Sequence, residues 1–306
     1  MFIWGLCRAA SRSVGWYAPP SLARWPAARG YGIQNSIVTA NQNVARVRLE
    51  ALMTGLLACV LTGGACARQA DLGSIGDGPA SVLWRGTFEP GDLSEWTGDG
   101  EGGLYTQNVD LPDKPTASLA MPHTGRYSGV FTVASTASMA STSYLFRNQP
   151  SPPQAYYSAW FYVPSTITLG AWLSLTHFSG SGTGDGKNLV AIWDVNLYTL
   201  PGGGGLAAQL YDYAHLVNLR ETTPVPFPLD AWTRLEVYVS KATGPTGEVT
   251  VWQDGVQILQ RSNVATVAND WMQWDVGAAA DATLPAPANI YMDDAAISLV
   301  RLGPGS

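Results

Sequence analysis

Hydrophobic and polar residues alternate along much of this chain, with the two-residue period of a β-strand. In 189–198, Val190, Ile192, Asp194, Asn196 and Tyr198 oppose Leu189, Ala191, Trp193, Val195 and Leu197. In 206–213, Gln209, Tyr211 and Tyr213 oppose Leu206, Ala208, Leu210 and Asp212, and in 232–240 Arg234, Glu236 and Tyr238 oppose Leu235, Val237 and Val239. Comparable runs lie at 126–134, 141–147, 155–163, 171–179, 247–253, 256–260 and 288–299. Gly- and Pro-rich breaks at 149–153, 179–186, 201–205 and 222–228 separate them. Asp254-Gly255 predicts a tight hairpin, because those residues tolerate positive φ. No helical period of useful length appears. Many short strands with frequent turns predict an all-β, antiparallel two-sheet sandwich, with a barrel as the other arrangement.

Only 13% of the 306 residues are charged, beside 33 Gly, 12 Trp and 13 Tyr, which suits a turn-rich β-protein and not a disordered tail. The first 49 residues hold Arg8, Arg12, Arg24, Arg29, Arg46 and Arg48 and no acid, and all 23 acidic residues come later. The later part is therefore acidic, which argues against nucleic acid as a partner, since phosphate binding needs a basic face. An apolar run at 52–62 follows Arg46 and Arg48 and precedes Gly63-Gly64-Ala65-Cys66. That order reads as a secretory signal, too short for the roughly 20 residues of a spanning helix. Its ending resembles a bacterial lipoprotein signal, which implies lipidation of Cys66; Cys59 and an ordinary secretory cleavage are the competing readings. Cleavage at Cys66 leaves no further cysteine and so no disulfide.

The chain thus divides into a leader at 1–46, a signal at 47–66, a linker at 67–80 and one domain at 80–302. The leader reads as a start site set too far upstream or as an organellar targeting peptide. The expected location is outside the cytoplasm, lipid-anchored at a bacterial envelope or secreted. The membrane is touched only through that anchor, and the protein is expected to be a monomer.

Four successive strands present Trp and Tyr together with Asp, Asn, Gln and Ser on one face. Such a face suits a sugar, because flat rings stack on pyranose faces while amides and carboxylates bond hydroxyls. The candidate carbohydrate-binding residues are Tyr156, Trp160, Trp172, Asp194, Asn196, Tyr198, Gln209 and Tyr211. A solvent-facing sheet with its usual tyrosines is the plain alternative for any one strand.

The segments 88–96, with its Glu89-Pro90-Gly91-Asp92 turn, and 290–298, with Asp293-Asp294, resemble the first and last strands of jelly-roll sandwiches of the concanavalin-A-like group. Segments 124–131, 156–164, 232–238 and 247–255 resemble inner strands of its laminin-G-like, carbohydrate-binding-module and polysaccharide-lyase-like members. The resemblance implies adjacent terminal strands and a structural Ca2+ held by Glu89 with Asp293 or Asp294, and no organic cofactor. Adjacent strand residues face opposite ways, so both aspartates share an ion only if the strand bulges. Asp294 is expected to point inward with Ile290 and Met292.

The expected function is polysaccharide binding through an aromatic-polar concave face. The alternative that the resemblance implies is a polysaccharide lyase acting on uronate glycans, with His177, Tyr211, Tyr213, Gln209 and Arg147 as its set. Alternation puts His177 on the Leu173/Leu175 side, away from that face, unless a bulge intervenes. His215 and His123 sit in turns. A glycoside hydrolase needs two facing carboxylates, and Asp194 has none two residues away on its strand. A surface adhesion module that contacts protein is the third reading.

Overall fold

The computed structural model describes residues 81–109, 114–136, 139–181 and 183–303. The leader, signal, linker and Cys66 readings lie outside the described residues. In chain order the first strands are β1 (Val82–Gly86), β2 (Gly102–Gln107), β3 (Thr116–Ser118), β4 (Ser128–Val133), β5 (Ser141–Pro150) and β6 (Gln154–Tyr162). Next come β7 (Thr168–Leu169), β8 (Leu173–Ser181), β9 (Leu189–Thr199), β10 (Leu206–Asp212), β11 (Val217–Leu219) and β12 (Pro226–Phe227). The last are β13 (Trp232–Ser240), β14 (Gly247–Gln253), β15 (Val256–Val264), β16 (Trp271–Ala280), β17 (Thr283–Leu284) and β18 (Ala288–Ser298).

These strands make an antiparallel two-sheet jelly-roll sandwich. The first sheet runs β15-β14-β13-β6-β18-β4-β3, with β1 also on β18; the second runs β11-β10-β9-β8-β16-β5-β2, with β12 on β10. Alternate residues of each sheet meet between them. Phe178, Trp193, Leu197 and Trp274 of the second sheet pack with Tyr157, Phe161, Val237 and Ile297 of the first. Tyr157 bridges the layers, its ring 5.2 Å from Phe178 and 5.5 Å from Trp274. Each such large side chain contributes roughly 1.5–3 kcal/mol through burial. The Asp254-Gly255 turn closes β14 onto β15 with φ values of 48° and 85°, as its sequence predicts.

Three sequence expectations change. The terminal strands do pair, but the partner of β18 is β1, with Val82 opposite Ser298, and the 88–96 segment is a turn leading into a one-turn helix, α1 (Ser94–Thr97). Strand β16, central in the second sheet, escapes the sequence pattern because its Gly-Ala-Ala-Ala end has low strand propensity and both faces are buried. Finally, β6 belongs to the first sheet while β8, β9 and β10 belong to the second. The four aromatic-polar strands therefore do not share one face.

Candidate functional site

The outward face of the second sheet gathers the chemistry. A row runs across it in register: Tyr211 on β10, Asp194 on β9, His177 on β8 and Asp275 on β16. Neighbouring strands stand about 4.8 Å apart, so these side chains are within mutual reach. A second row sets Gln209 beside Asn196 and Ser174.

His177 joins this row through a bulge. Ser174 pairs with Asn196, and Thr176 already pairs with Val195, so Leu175 is an extra residue in β8. The alternation slips by one, and His177 moves from the Leu173/Leu175 side to the side of Asp194. Strand β16 is irregular at the same level, where Gly277 takes φ 139°. A Cβ there would lie 2.4 Å from the Phe131 ring, so only glycine fits.

Asp194 is the hub. One oxygen bonds His177 Nδ1, and the other accepts from the Tyr213 hydroxyl at 2.8 Å. His177 Nε2 lies 2.8 Å from Ser179 Oγ, so both ring nitrogens are engaged. The Tyr213 ring stands edge-on to His177 at 5.5 Å and to Tyr211 at 4.8 Å. Burial works against a charged His177, but the Asp194 bond and charge, aided by Asp275, hold its pKa above the ordinary value. Burial and the Asp194 charge push the Tyr213 phenol up, so it stays protonated.

Asp275 is buried beside His177 on the neighbouring strand. Gln273 Nε2 donates to one of its oxygens at 2.8 Å, and the other has no hydrogen-bond partner. Desolvation raises its pKa to about 7. Sequence reasoning missed Asp275 along with its strand; the available signal was an acid inside an apolar run, Trp274-Asp275-Val276.

The remaining predicted residues divide. Tyr198 and Gln209 lie near the row but are covered by Arg220, whose guanidinium sits 4.0 Å over the Tyr198 ring and whose Nε donates to Gln209 at 2.6 Å. Trp172 precedes β8, its amide donating to Asp281. Tyr156 and Trp160 are on the first sheet, on the far side of the core. Arg147 pairs in register with the core residue Trp274, inside the sandwich, where it forks onto Asp99 at 2.7 and 2.8 Å and reaches Glu101 at 3.1 Å. It does not join the His177 row. His215 is an exposed turn residue tied to Asp212 at 2.6 Å.

Glu89, Asp293 and Asp294 do converge, on the 123–127 turn. Glu89 accepts from the N–H groups of Arg126 and Tyr127, at 2.8 and 3.0 Å, which lowers its pKa. Asp293 accepts from the N–H groups of His123 and Thr124 at 2.9 and 3.3 Å. Asp294 meets His123 Nδ1 at 2.7 Å and the Thr124 hydroxyl at 2.9 Å. The strand bulges here, with Asp294 at φ 46°, so Asp293 rather than Asp294 is the fully buried one. Among the described residues no three His, Cys, Asp or Glu side chains assemble as metal ligands. The carboxylates face N–H and O–H donors, which makes a hydrogen-bonded clasp and does not fit a calcium site.

No known family profile and no curated protein matches the chain. Solved structures do. An endo-β-1,4-glucuronan lyase from the fungus Trichoderma reesei superposes with a TM-score of 0.52 at 16% identity, over 72% of this chain and 96% of its own. A cellulose-induced protein gives 0.51 at 13%, over 72% and 99%, and a marine PL-14 alginate lyase from Aplysia kurodai gives 0.50 at 12%, over 71% and 98%. At these identities the likeness establishes a shared sandwich fold, and the chemistry has to be argued from this chain's own residues.

Proposed function

We propose that this protein binds a polysaccharide along the outward face of its second sheet, outside the cytoplasm. The observation that carries the reading is the Tyr211–Asp194–His177 row, where half-buried rings stand beside polar groups already held in place. A pyranose ring needs both an apolar partner and hydrogen-bonding partners. Asp194 spends its two oxygens on His177 and Tyr213 and so acts by fixing them. Prior fixing reduces the entropy lost when a ligand is bound. By their names, two of the fold neighbours act on uronate polysaccharides, which adds weight to a carbohydrate ligand.

Isothermal titration against a panel of neutral and uronate polymers tests this. Tyr211→Ala should weaken the best ligand by about tenfold, roughly 1.4 kcal/mol, with the melting temperature preserved. A folded Tyr211→Ala protein that binds like the parent would remove the groove from the account. Export rests on residues 47–66, with anchoring through Cys66 or secretory release. Palmitate labelling of the expressed protein separates the two.

A second reading, cleavage by β-elimination, draws on the bulge that sets His177 and Tyr213 on one carboxylate. In that reaction a neutral imidazole takes the proton α to a uronate carboxylate, and the electrons form a C=C bond as the glycosidic C–O bond breaks. The Tyr213 phenol then protonates the leaving oxygen. Three features favour binding over cleavage: the Asp194 bond and charge raise the His177 pKa above its ordinary value, both ring nitrogens are engaged, and Arg147 is committed elsewhere. Polymer binding with no rise in ultraviolet absorbance across the uronate panel would exclude the lyase. A rise abolished by His177→Ala would establish it.

A further inference from the structure

The outward face of the first sheet, across the core from the His177 row, carries its own aromatic row. Trp232 on β13, Tyr162 on β6 and Tyr291 on β18 are directly opposite one another in register. All three are half-buried with a surface toward solvent. Tyr162 lies 5.8 Å from Trp232 at 61° and 6.0 Å from Tyr291 at 80°. His123 extends the row, edge-on to Trp232 at 5.4 Å and stacked on Trp160 at 4.0 Å. Three rings on three adjacent strands span about 10 Å at strand spacing. Rings so arranged, each with a polar edge, are costly to leave on a surface that contacts only water.

We propose that this row is a second carbohydrate site, separate from the groove, which takes a single chain of a neutral, hydroxyl-rich polysaccharide. The interplanar angles exclude a flat platform for a crystalline surface and suit one twisted chain whose sugars turn from ring to ring. The charged side chains bonded to the row are carboxylates: Asp230, which interacts with Tyr162, and Asp294, which holds His123. They disfavour a polyanion and leave the hydroxyls of a neutral glycan as the complementary partner. The phenols and the indole N–H supply the hydrogen bonds such hydroxyls need.

The test uses the full chain in a Tyr211→Ala background, which weakens binding on the second-sheet face, and reads each ring variant against that same parent. Titration with hydroxyethyl cellulose and with a galactomannan should give binding that Trp232→Ala and Tyr291→Ala each weaken by about tenfold. Alginate, as the anionic control, should give none that depends on these rings. The proposal is overturned if neither neutral polymer binds, or if both folded ring variants bind as well as their parent. Should Trp232→Ala fail to fold, Tyr291→Ala alone decides, since that ring lies outside the core. Because the ring variants are compared with their own Tyr211→Ala parent, a negative result here leaves the reading of the second-sheet face untouched, and the reverse also holds.

Discussion

Asp275 is buried on the outward side of the second sheet, with one oxygen paired to Gln273 and one unpartnered. Its folded pKa of about 7 stands above the ordinary 3.8 because burial penalises the charge. Between about pH 4 and pH 7 the folded protein therefore holds a proton that the unfolded chain has released. Stability from this group is full below pH 4 and is lost as the pH rises toward 7, by an amount on the order of a few kcal/mol. Asp275→Asn keeps the acceptor for Gln273 without the charge. Its melting temperature should exceed the parent's clearly at pH 8 and little at pH 5; equal differences at both values would contradict the buried-charge account. The neighbouring site residues differ in how readable they were. Asp194, Gln209 and Tyr211 lie on strands with regular alternation, so the side of its own strand that each occupies could be inferred directly. His177 could not be placed that way, because one extra residue in β8 reverses the side of everything after it.

At the scale of elements, the carboxylates of the 88–96 and 290–298 segments act together, as their pairing in sequence suggested, but by tying a turn to two neighbouring elements. Glu89 leaves the turn after β1, Asp293 and Asp294 leave the bulge of β18, and all three grip the 123–127 turn that leads into β4. A clasp built from amide donors needs no cation. EDTA should leave the melting temperature unchanged, and a fall would restore calcium to the account. Asp293→Ala strands three part-buried amide donors, those of His123, Thr124 and Asp294, and should cost roughly 1–3 kcal/mol in chemical denaturation. Strands with β-branched runs and hairpin turns were legible one at a time. Strand β16 was not, since a strand buried on both faces loses the alternation that identifies it.

For the molecule as a whole, the acidic balance beyond Glu50 argues for ligands bound by stacking and neutral hydrogen bonds. Affinity for the best polysaccharide should accordingly change by less than about threefold between 0.05 and 0.5 M NaCl. A steep fall would indicate a polyanion held by ion pairs. The sequence by itself determined the all-β class, the tight hairpin and the alternation that separates core from surface, because these follow from side chains a few residues apart. Only the tertiary structure decided which sheet each strand joined, where the bulges fell and therefore which polar residues met. It placed Tyr156 and Trp160 across the core from Asp194 and Tyr211, and it brought His177 and Asp275 to one row. Strand order and register depend on packing between residues distant in the chain, and local alternation carries no record of that packing.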